Sequence, residues 1–365
     1  MRRAIQQAQR VAASCCFVSL LSLACGNSSD GGSGSGGSRA QGGENSLAGE
    51  TSNTAGAAGD ATPAAGSGCY MERVQLAPRL ALTGSSGCAI DSTGAARCWG
   101  SSGADLTGPP PAPPTADFTQ VAAELDLYAA LDNMHAPMFW SQGPAGSPVP
   151  AAPTPSGSFD QIVIARHSIA CGLTSCGAIE CWPPDDNDGL SNPPSGSFRQ
   201  IAGGGTHACG IDAVGTLHCW GDDSFGQTEP PSGTFMSVTC GLEHGCAIAS
   251  DGHVECWGAG SKLPNDTTDN FGQAIPPAGS FKSLSAGEYH TCGIASDDTV
   301  QCWGAGTTAS DCAGLTECGQ AMPPTGKFQE VAGNFTNSCG IRADGTLVCW
   351  GSNTGGRSTP PSDFK

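Results

Sequence analysis

Twenty cysteines and seven histidines are the residues of this 365-residue chain best suited to chemistry, and their spacing sorts them. Six pairs of cysteines stand ten residues apart: Cys88/Cys98, Cys171/Cys181, Cys209/Cys219, Cys246/Cys256, Cys292/Cys302 and Cys339/Cys349. Three chemistries fit such pairs: cross-strand disulfides, zinc ligation, or reduced thiols packed as small apolar groups. Structural zinc favours cysteines two to four residues apart, and the chain has no Cys-x-x-Cys. In a hairpin whose short loop lies midway between them, the two cysteines fall opposite each other and within disulfide reach. Closing an eleven-residue ring in this way contributes roughly 2 to 3 kcal/mol per bridge. Cys312 and Cys318 bracket a long insertion and are expected to staple it, whereas Cys69, Cys176 and Cys240 have no evident partner.

His207, His244 and His290 each stand two residues before the first cysteine of a pair, so they form a column, one per repeat, rather than a cluster. A column implies one structural role, and the expectation is a hydrogen bond to a neighbouring turn. His135, His167, His218 and His253 share no such column and have no nucleophile beside them. The run Asp185-Asp186-Asn187-Asp188-Gly189 offers carboxylates to calcium, but its spacing departs from an EF-hand loop. It occupies the elastic position that in repeat four reads Asp222-Asp223-Ser224-Phe225-Gly226, so it reads as a solvated turn, and calcium is the alternative. There is no Gly-rich phosphate loop, no Ser/His/Asp set and no paired-carboxylate signature. The chain is therefore read as a non-enzyme, with no catalytic residues, no cofactor and no metal.

What positions these residues is a repeat. Seven tryptophans, Trp99, Trp140, Trp182, Trp220, Trp257, Trp303 and Trp350, close similar phrases, usually Cys-Trp-Gly. Phe118, Phe198, Phe235, Phe281 and Phe328 each precede a Trp by 22 residues, and Phe159 by 23, while the Trp-to-Phe gap varies from 14 to 25. Each unit thus has a fixed core and one elastic loop, and units this small must stack to bury an apolar face. Inside the core, Phe198 to Ile201, Cys209 to Ile211 and Thr216 to Trp220 alternate apolar and polar residues with Gly and Asp at the breaks, which predicts strands. Pro-Pro pairs such as Pro230-Pro231 and Pro276-Pro277 end the elastic loops and cannot donate to a sheet ladder. The expected fold is all-β, a seven-bladed β-propeller of four-stranded blades over residues 69–365.

The phrases Gly204-x-x-His207-x-Cys209-Gly-Ile and Gly215-x-Leu217-x-Cys219-Trp220-Gly221 resemble the regulator of chromosome condensation repeat family over roughly residues 74 to 365. Repeats four to seven fit closely, repeat one keeps its second half, and repeat three has Pro183 after its Trp. Repeat two carries Ala129, Phe139 and Ser141 where Cys, Cys and Gly are expected, losing both members of its cysteine pair together. The resemblance implies a seven-bladed propeller, and it implies fold more than activity, because propellers host unrelated functions.

Residues 1–24 combine Arg2, Arg3 and Arg10 with an apolar run from Val11 through Leu23 and no acid, the pattern of a signal peptide. Leu21-Ser-Leu-Ala24-Cys25-Gly26 resembles a bacterial lipobox, which makes Cys25 the lipidated residue; ordinary cleavage and secretion is the alternative. Residues 25–68 are rich in Gly, Ser and Ala and read as a disordered tether reaching about 35 Å. The expected location is the bacterial cell envelope, on the outer membrane, which suits disulfides. Losing the three arginines moves the formal charge from -18 to -21, so nucleic acid and anionic lipid are poor partners, and the membrane is reached through the N-terminal lipid alone.

Propeller function usually sits on rim loops. The two longest, on repeats five and six, carry Lys262, Asn265, Asp266, Phe271, Thr308 and Asp311, the candidate binding residues. The leading expectation is a monomeric, lipid-anchored binding or scaffold module for a protein or envelope component. A secreted enzyme inhibitor, by analogy with a β-lactamase inhibitory protein of similar fold, is the second reading, and an undetected hydrolase the third. The C-terminal tail, with Phe364 in the Phe column, is expected to complete the first blade.

Overall fold

A computed structural model describes residues 78–101, 108–124, 127–141, 155, 157–165, 169–182, 189–261, 270–308 and 318–365. Of two compact units, Met1–Ser67 and Gly68–Lys365, the described residues belong to the second. The expected signal peptide, lipidated Cys25 and tether lie outside them, as do Cys69, Cys312, Lys262, Asn265, Asp266, Asp311 and the Asp185–188 loop.

Each repeat folds into one antiparallel meander, and there are seven such sheets among the described residues, spanning 80–100, 118–141, 159–182, 198–221, 235–258, 281–304 and 328–351. In blade four the strands are Phe198–Gly203, His207–Asp212 and Leu217–Gly221. The hairpin after the second strand follows from Asp212, whose carboxylate accepts the N–H groups of Val214 (3.0 Å) and Thr216 (2.8 Å). Gly215 supplies the positive φ of 97° that this turn requires.

The sheets have three strands each, not the expected four. After the third strand of every blade but the second the sequence runs into a Pro-Pro pair, which has no N–H to offer a fourth ladder. Blades four to seven therefore present their Cys-Trp-Gly strand to the exterior edge.

Apolar packing runs between blades. One buried cluster joins Ile211 and Leu217 of blade four to Phe235, Val238 and Trp257 of blade five. Another joins Leu80, Leu82 and Trp99 of blade one to Ile341 and Leu347 of blade seven, with Phe364 of the tail between them, which closes the ring. The tail forms no strand, but the Lys365 carbonyl accepts the Ser92 N–H and Asp363 pairs with Arg97 at 2.8 Å.

A polar clamp repeats at the same junctions. Gln120 donates to the Ile162 carbonyl at 2.6 Å and accepts its N–H at 2.9 Å. Gln161 does the same to Ile201, and Gln200 to Val238. All three stand two residues after the blade's Phe. Glu330 holds that position in blade seven, and one of its oxygens accepts the N–H groups of Arg79 (2.8 Å) and Leu80 (2.9 Å) on the first strand of the ring.

Candidate functional site

The cysteines ten residues apart are joined as disulfides: Cys88–Cys98, Cys171–Cys181, Cys209–Cys219, Cys246–Cys256, Cys292–Cys302 and Cys339–Cys349, with Cα atoms 3.9 to 4.1 Å apart. The partners are directly opposed in the register of the second and third strands. The two halves of each bridge are not equivalent. Cys88, Cys171, Cys209, Cys246, Cys292 and Cys339 are buried on the second strand. Cys98, Cys181, Cys219, Cys256, Cys302 and Cys349 are only half-buried, because they lie on the third strand, which no fourth strand covers. The spacing predicts the pairing and not this asymmetry.

In blade two the same register sets Ala129 opposite Phe139, where no bridge can form. Cys176 and Cys318 are also disulfide-bonded, so Cys176 is not the unpaired residue its spacing suggested. Cys240 is the free cysteine among the described residues, and it is buried.

The histidine column does not reach a turn. His244 Nε2 lies 2.9 Å from the Thr291 hydroxyl and His290 Nε2 lies 2.8 Å from that of Ser338, so each bonds the second strand of the next blade. Ser86 meets Tyr128 of the next blade in the same way. Leu127 and Ile169 hold this column in blades two and three, and each shares a buried apolar cluster with the alanine at the hydroxyl position of the next blade, Ala170 and Ala208. His207 breaks the pattern: the hydroxyl-bearing position of the following blade is Gly245, and neither ring nitrogen has a hydrogen-bond partner. A side chain at Gly245 is excluded because its Cβ would fall 2.3 Å from the Trp257 ring. Burial away from water lowers the pKa of all three histidines, to about 4 for His207 and His290 and about 3 for His244, which keeps them neutral at pH 7.

At one end of the axis the first strands converge on a cavity of about 120 Å³, lined among others by Glu124, Gly204, Cys240, Leu242, Glu288 and Asn334. That volume is below the roughly 300 to 1,000 Å³ of small-molecule pockets. Glycine is required around it. A Cβ at Gly204, Gly241 or Gly287 would stand 2.6, 2.5 or 2.3 Å from a carbonyl oxygen of the next blade. In blade seven Asn334 takes the place of this glycine and donates to the Leu82 carbonyl at 3.1 Å.

Beside the mouth runs a ladder of partly exposed aromatic rings. Phe271 meets Tyr289 edge-on at 5.6 Å, and Tyr289 meets Phe335 at 5.7 Å. Phe271 is anchored from the loop of repeat five by Gln273, whose Oε1 accepts its N–H at 2.9 Å and whose carbonyl accepts the Trp303 indole N–H at 2.9 Å. Phe225 holds the corresponding loop position one repeat earlier and is 40% exposed. Of the expected binding residues, Phe271 is thus in this ladder and Thr308 is exposed on the next loop. Tyr289 and Phe335 escaped the sequence reading because each sits in a short strand-to-strand turn rather than in an elastic loop. Tyr289 stands one residue before His290 and Phe335 two before Asn337, so no single column of the repeat marks them. Five of the seven tryptophans pack inside: Trp99, Trp220, Trp257, Trp303 and Trp350 are buried and donate to backbone carbonyls at 2.8 to 2.9 Å.

Three segments of the sequence, residues 198–227, 281–307 and 328–357, match the family described as Regulator of chromosome condensation (RCC1) repeat. No curated protein matches the chain. Among solved structures it is similar to the ectodomain of the Physcomitrella patens receptor kinase CR4, with 22% identity over 75% of this chain and 73% of that one and a TM-score of 0.57. The CRINKLY WD40 ectodomain of the Arabidopsis thaliana receptor kinase ACR4 aligns at 19% identity over 78% of this chain and 98% of its own, with a TM-score of 0.58. Human WBSCR16 aligns at 16% identity over 74% and 88%, with a TM-score of 0.56. Repeats four, six and seven of this chain are regulator of chromosome condensation repeats, set in a ring of seven three-stranded sheets that matches a seven-bladed β-propeller.

Proposed function

We infer that the chain is a protein-binding scaffold acting outside the cytoplasm, anchored by lipid on Cys25, and that its partner docks on the axial face over Phe271, Tyr289 and Phe335. The aromatic ladder carries this reading. Three partly exposed rings, with Tyr289 touching both Phe271 and Phe335, give a rigid apolar anchor at small entropic cost, the composition that interface centres favour. Glu288 beside Tyr289 and Glu124 across the mouth add negative charge, so a partner surface with basic residues around an apolar centre fits best.

Two further observations support the location. Six disulfides suit an oxidising compartment. Two of the structurally similar proteins are receptor-kinase ectodomains, an extracellular use of the same fold.

The test is capture from envelope extract by the mature chain, compared with Tyr289→Ala and Phe335→Ser variants. A partner retained by the parent and lost by both variants supports the assignment; one held equally by all three would refute this face as the docking surface. Location is tested separately by mass spectrometry of the mature N-terminus, where an unmodified Cys25 would end the lipid-anchor reading.

A further inference from the structure

Among the described residues, His207 and Cys240 are two buried side chains of metal-ligating type that neither a disulfide nor a side-chain partner occupies. His207 is fully buried, and both of its ring nitrogens lack a partner because Gly245 replaces the hydroxyl that serves His244 and His290. Cys240 stands where blades four, six and seven have Gly203, Ala286 and Gly333 at the end of the first strand. A His207 ring nitrogen and the sulfur atoms of Cys209 and Cys240 lie within 4.8 Å of one another. Cys209 is bonded to Cys219 and has no thiolate to give, so two ligands remain. Burial pushes the Cys240 thiol well up, so it holds its proton until a cation displaces it, while the Cys209 N–H that points to its sulfur favours the thiolate form. Gly204 lies beside both donors: a Cβ there would come within 2.9 Å of the Cys240 Cβ and of the His207 ring. Gly204 and Cys240 both line the axial cavity, which gives a cation a route in.

We propose that His207 and Cys240 form a two-coordinate site for a soft monovalent d10 cation, Cu(I) or Ag(I), loaded from the axial cavity. Softness follows from the thiolate and imidazole donors. Monovalency follows from burial, since one thiolate cancels one positive charge, whereas a divalent ion would leave an uncompensated charge in an apolar site. The geometry suits a linear unit: metal–sulfur and metal–nitrogen bonds of about 2.3 and 2.0 Å, as for zinc, span about 4.3 Å. On binding, the Cys240 S–H bond breaks and its proton leaves to solvent, the metal–sulfur bond forms, and the uncharged imidazole donates a lone pair. No electron is transferred. The site uses none of the three docking rings, although its route in is the cavity beside which they lie.

The experiment is a Cu(I) titration of the disulfide-bonded chain against a chromophoric chelator under anaerobic conditions. The parent is expected to withdraw one equivalent with an affinity that falls at least tenfold in Cys240→Ser and in His207→Ala. Retention of the full equivalent by Cys240→Ser overturns the proposal. So does disulfide mapping that finds Cys240 bonded to Cys209 or Cys219. X-ray absorption of the Cu(I)-loaded parent decides the matter without any variant: one sulfur and one nitrogen donor support the site, and a shell of sulfur only or nitrogen only refutes it.

Discussion

His290 Nε2 lies 2.8 Å from the hydroxyl of Ser338, a residue 48 positions later on the neighbouring blade. Both are fully buried, and Ser338 passes the contact on by donating to the Gln320 carbonyl at 2.9 Å. Removing the hydroxyl strands a buried nitrogen, which costs about 1 to 3 kcal/mol. Ser338→Ala should therefore lower the urea midpoint with an unchanged slope, and equal midpoints would show that this contact does not hold blades six and seven together.

Acid should act on the same column. Each histidine binds its proton near pH 6.5 when unfolded but only near pH 3 to 4 when folded. Between those values the unfolded state holds more protons, so stability falls as pH is lowered from 6.5 towards 4, by up to about 1.4 kcal/mol per unit per histidine. His290→Asn, which copies Asn337 in blade seven, should flatten that slope by about one third. Urea unfolding at pH 7, 6 and 5 measures it, and parallel curves would exclude the column as the acid-sensitive element.

Glu330 works in the opposite direction. Burial raises its pKa from 4.5 to about 7 against the two N–H bonds that favour the carboxylate, so the folded state holds the extra proton and stability declines as pH rises through 4.5 to 7. Glutamine at the equivalent place in blades two, three and four makes the clamp without a charge. Glu330→Gln should keep the ring closed and gain stability relative to the parent between pH 5 and pH 8. A variant that loses stability at pH 8 would mean that the carboxylate itself is needed there.

What sequence pattern could reveal was whatever repeats inside one unit. The Phe-to-Trp distance, the ten-residue cysteine spacing and the Asp-to-Gly turn all report on a single meander, and blade count and disulfides followed from them. The strand count did not, because the length of each unit leaves room for a fourth strand that the proline-rich segment does not form. The same missing strand leaves Cys98, Cys181, Cys302 and Cys349 half-buried while their partners are sealed inside. Contacts between blades were less visible. The clamps of Gln120, Gln161 and Gln200 and the close approach at Gly204, Gly241 and Gly287 link residues about forty positions apart, the Glu330 clamp spans the whole ring, and their meaning depends on how sheets stack. Cys240 and His207 were each noticed, but only stacking brings them together.

The eroded repeat offers a constructive test. Ala129 and Phe139 occupy the opposed register that Cys209 and Cys219 hold in blade four. Ala129→Cys with Phe139→Cys should form a seventh bridge of the same kind, detected as a mass loss of about 2 Da with no new free thiol. The gain should fall short of the roughly 2 to 3 kcal/mol of an eleven-residue ring, because Phe139 also gives up its contact with Trp182. Conversely, replacing Cys246 and Cys256 together by alanine should cost about that amount. Two unreacted thiols in the Ala129/Phe139 variant would show that blade two has departed from the common register.

Ring closure rests on the tail more than on its charges. Phe364 is buried among Leu80, Leu82, Trp99 and Leu347, so Phe364→Ala removes apolar contact from both blade one and blade seven at a cost of about 3 to 5 kcal/mol. Asp363 pairs with Arg97 from an exposed position, and Asp363→Ala should cost less than about 1 kcal/mol. Deleting residues 360–365 should match the Phe364 variant and not exceed it greatly, since Trp99 keeps its bond to the Arg357 carbonyl at 2.8 Å. Thermal unfolding of the three variants separates the cases. Equal losses for Asp363→Ala and Phe364→Ala would place the closure in the ion pair, and no loss from the deletion would place it wholly in the Glu330 clamp between the first and seventh blades.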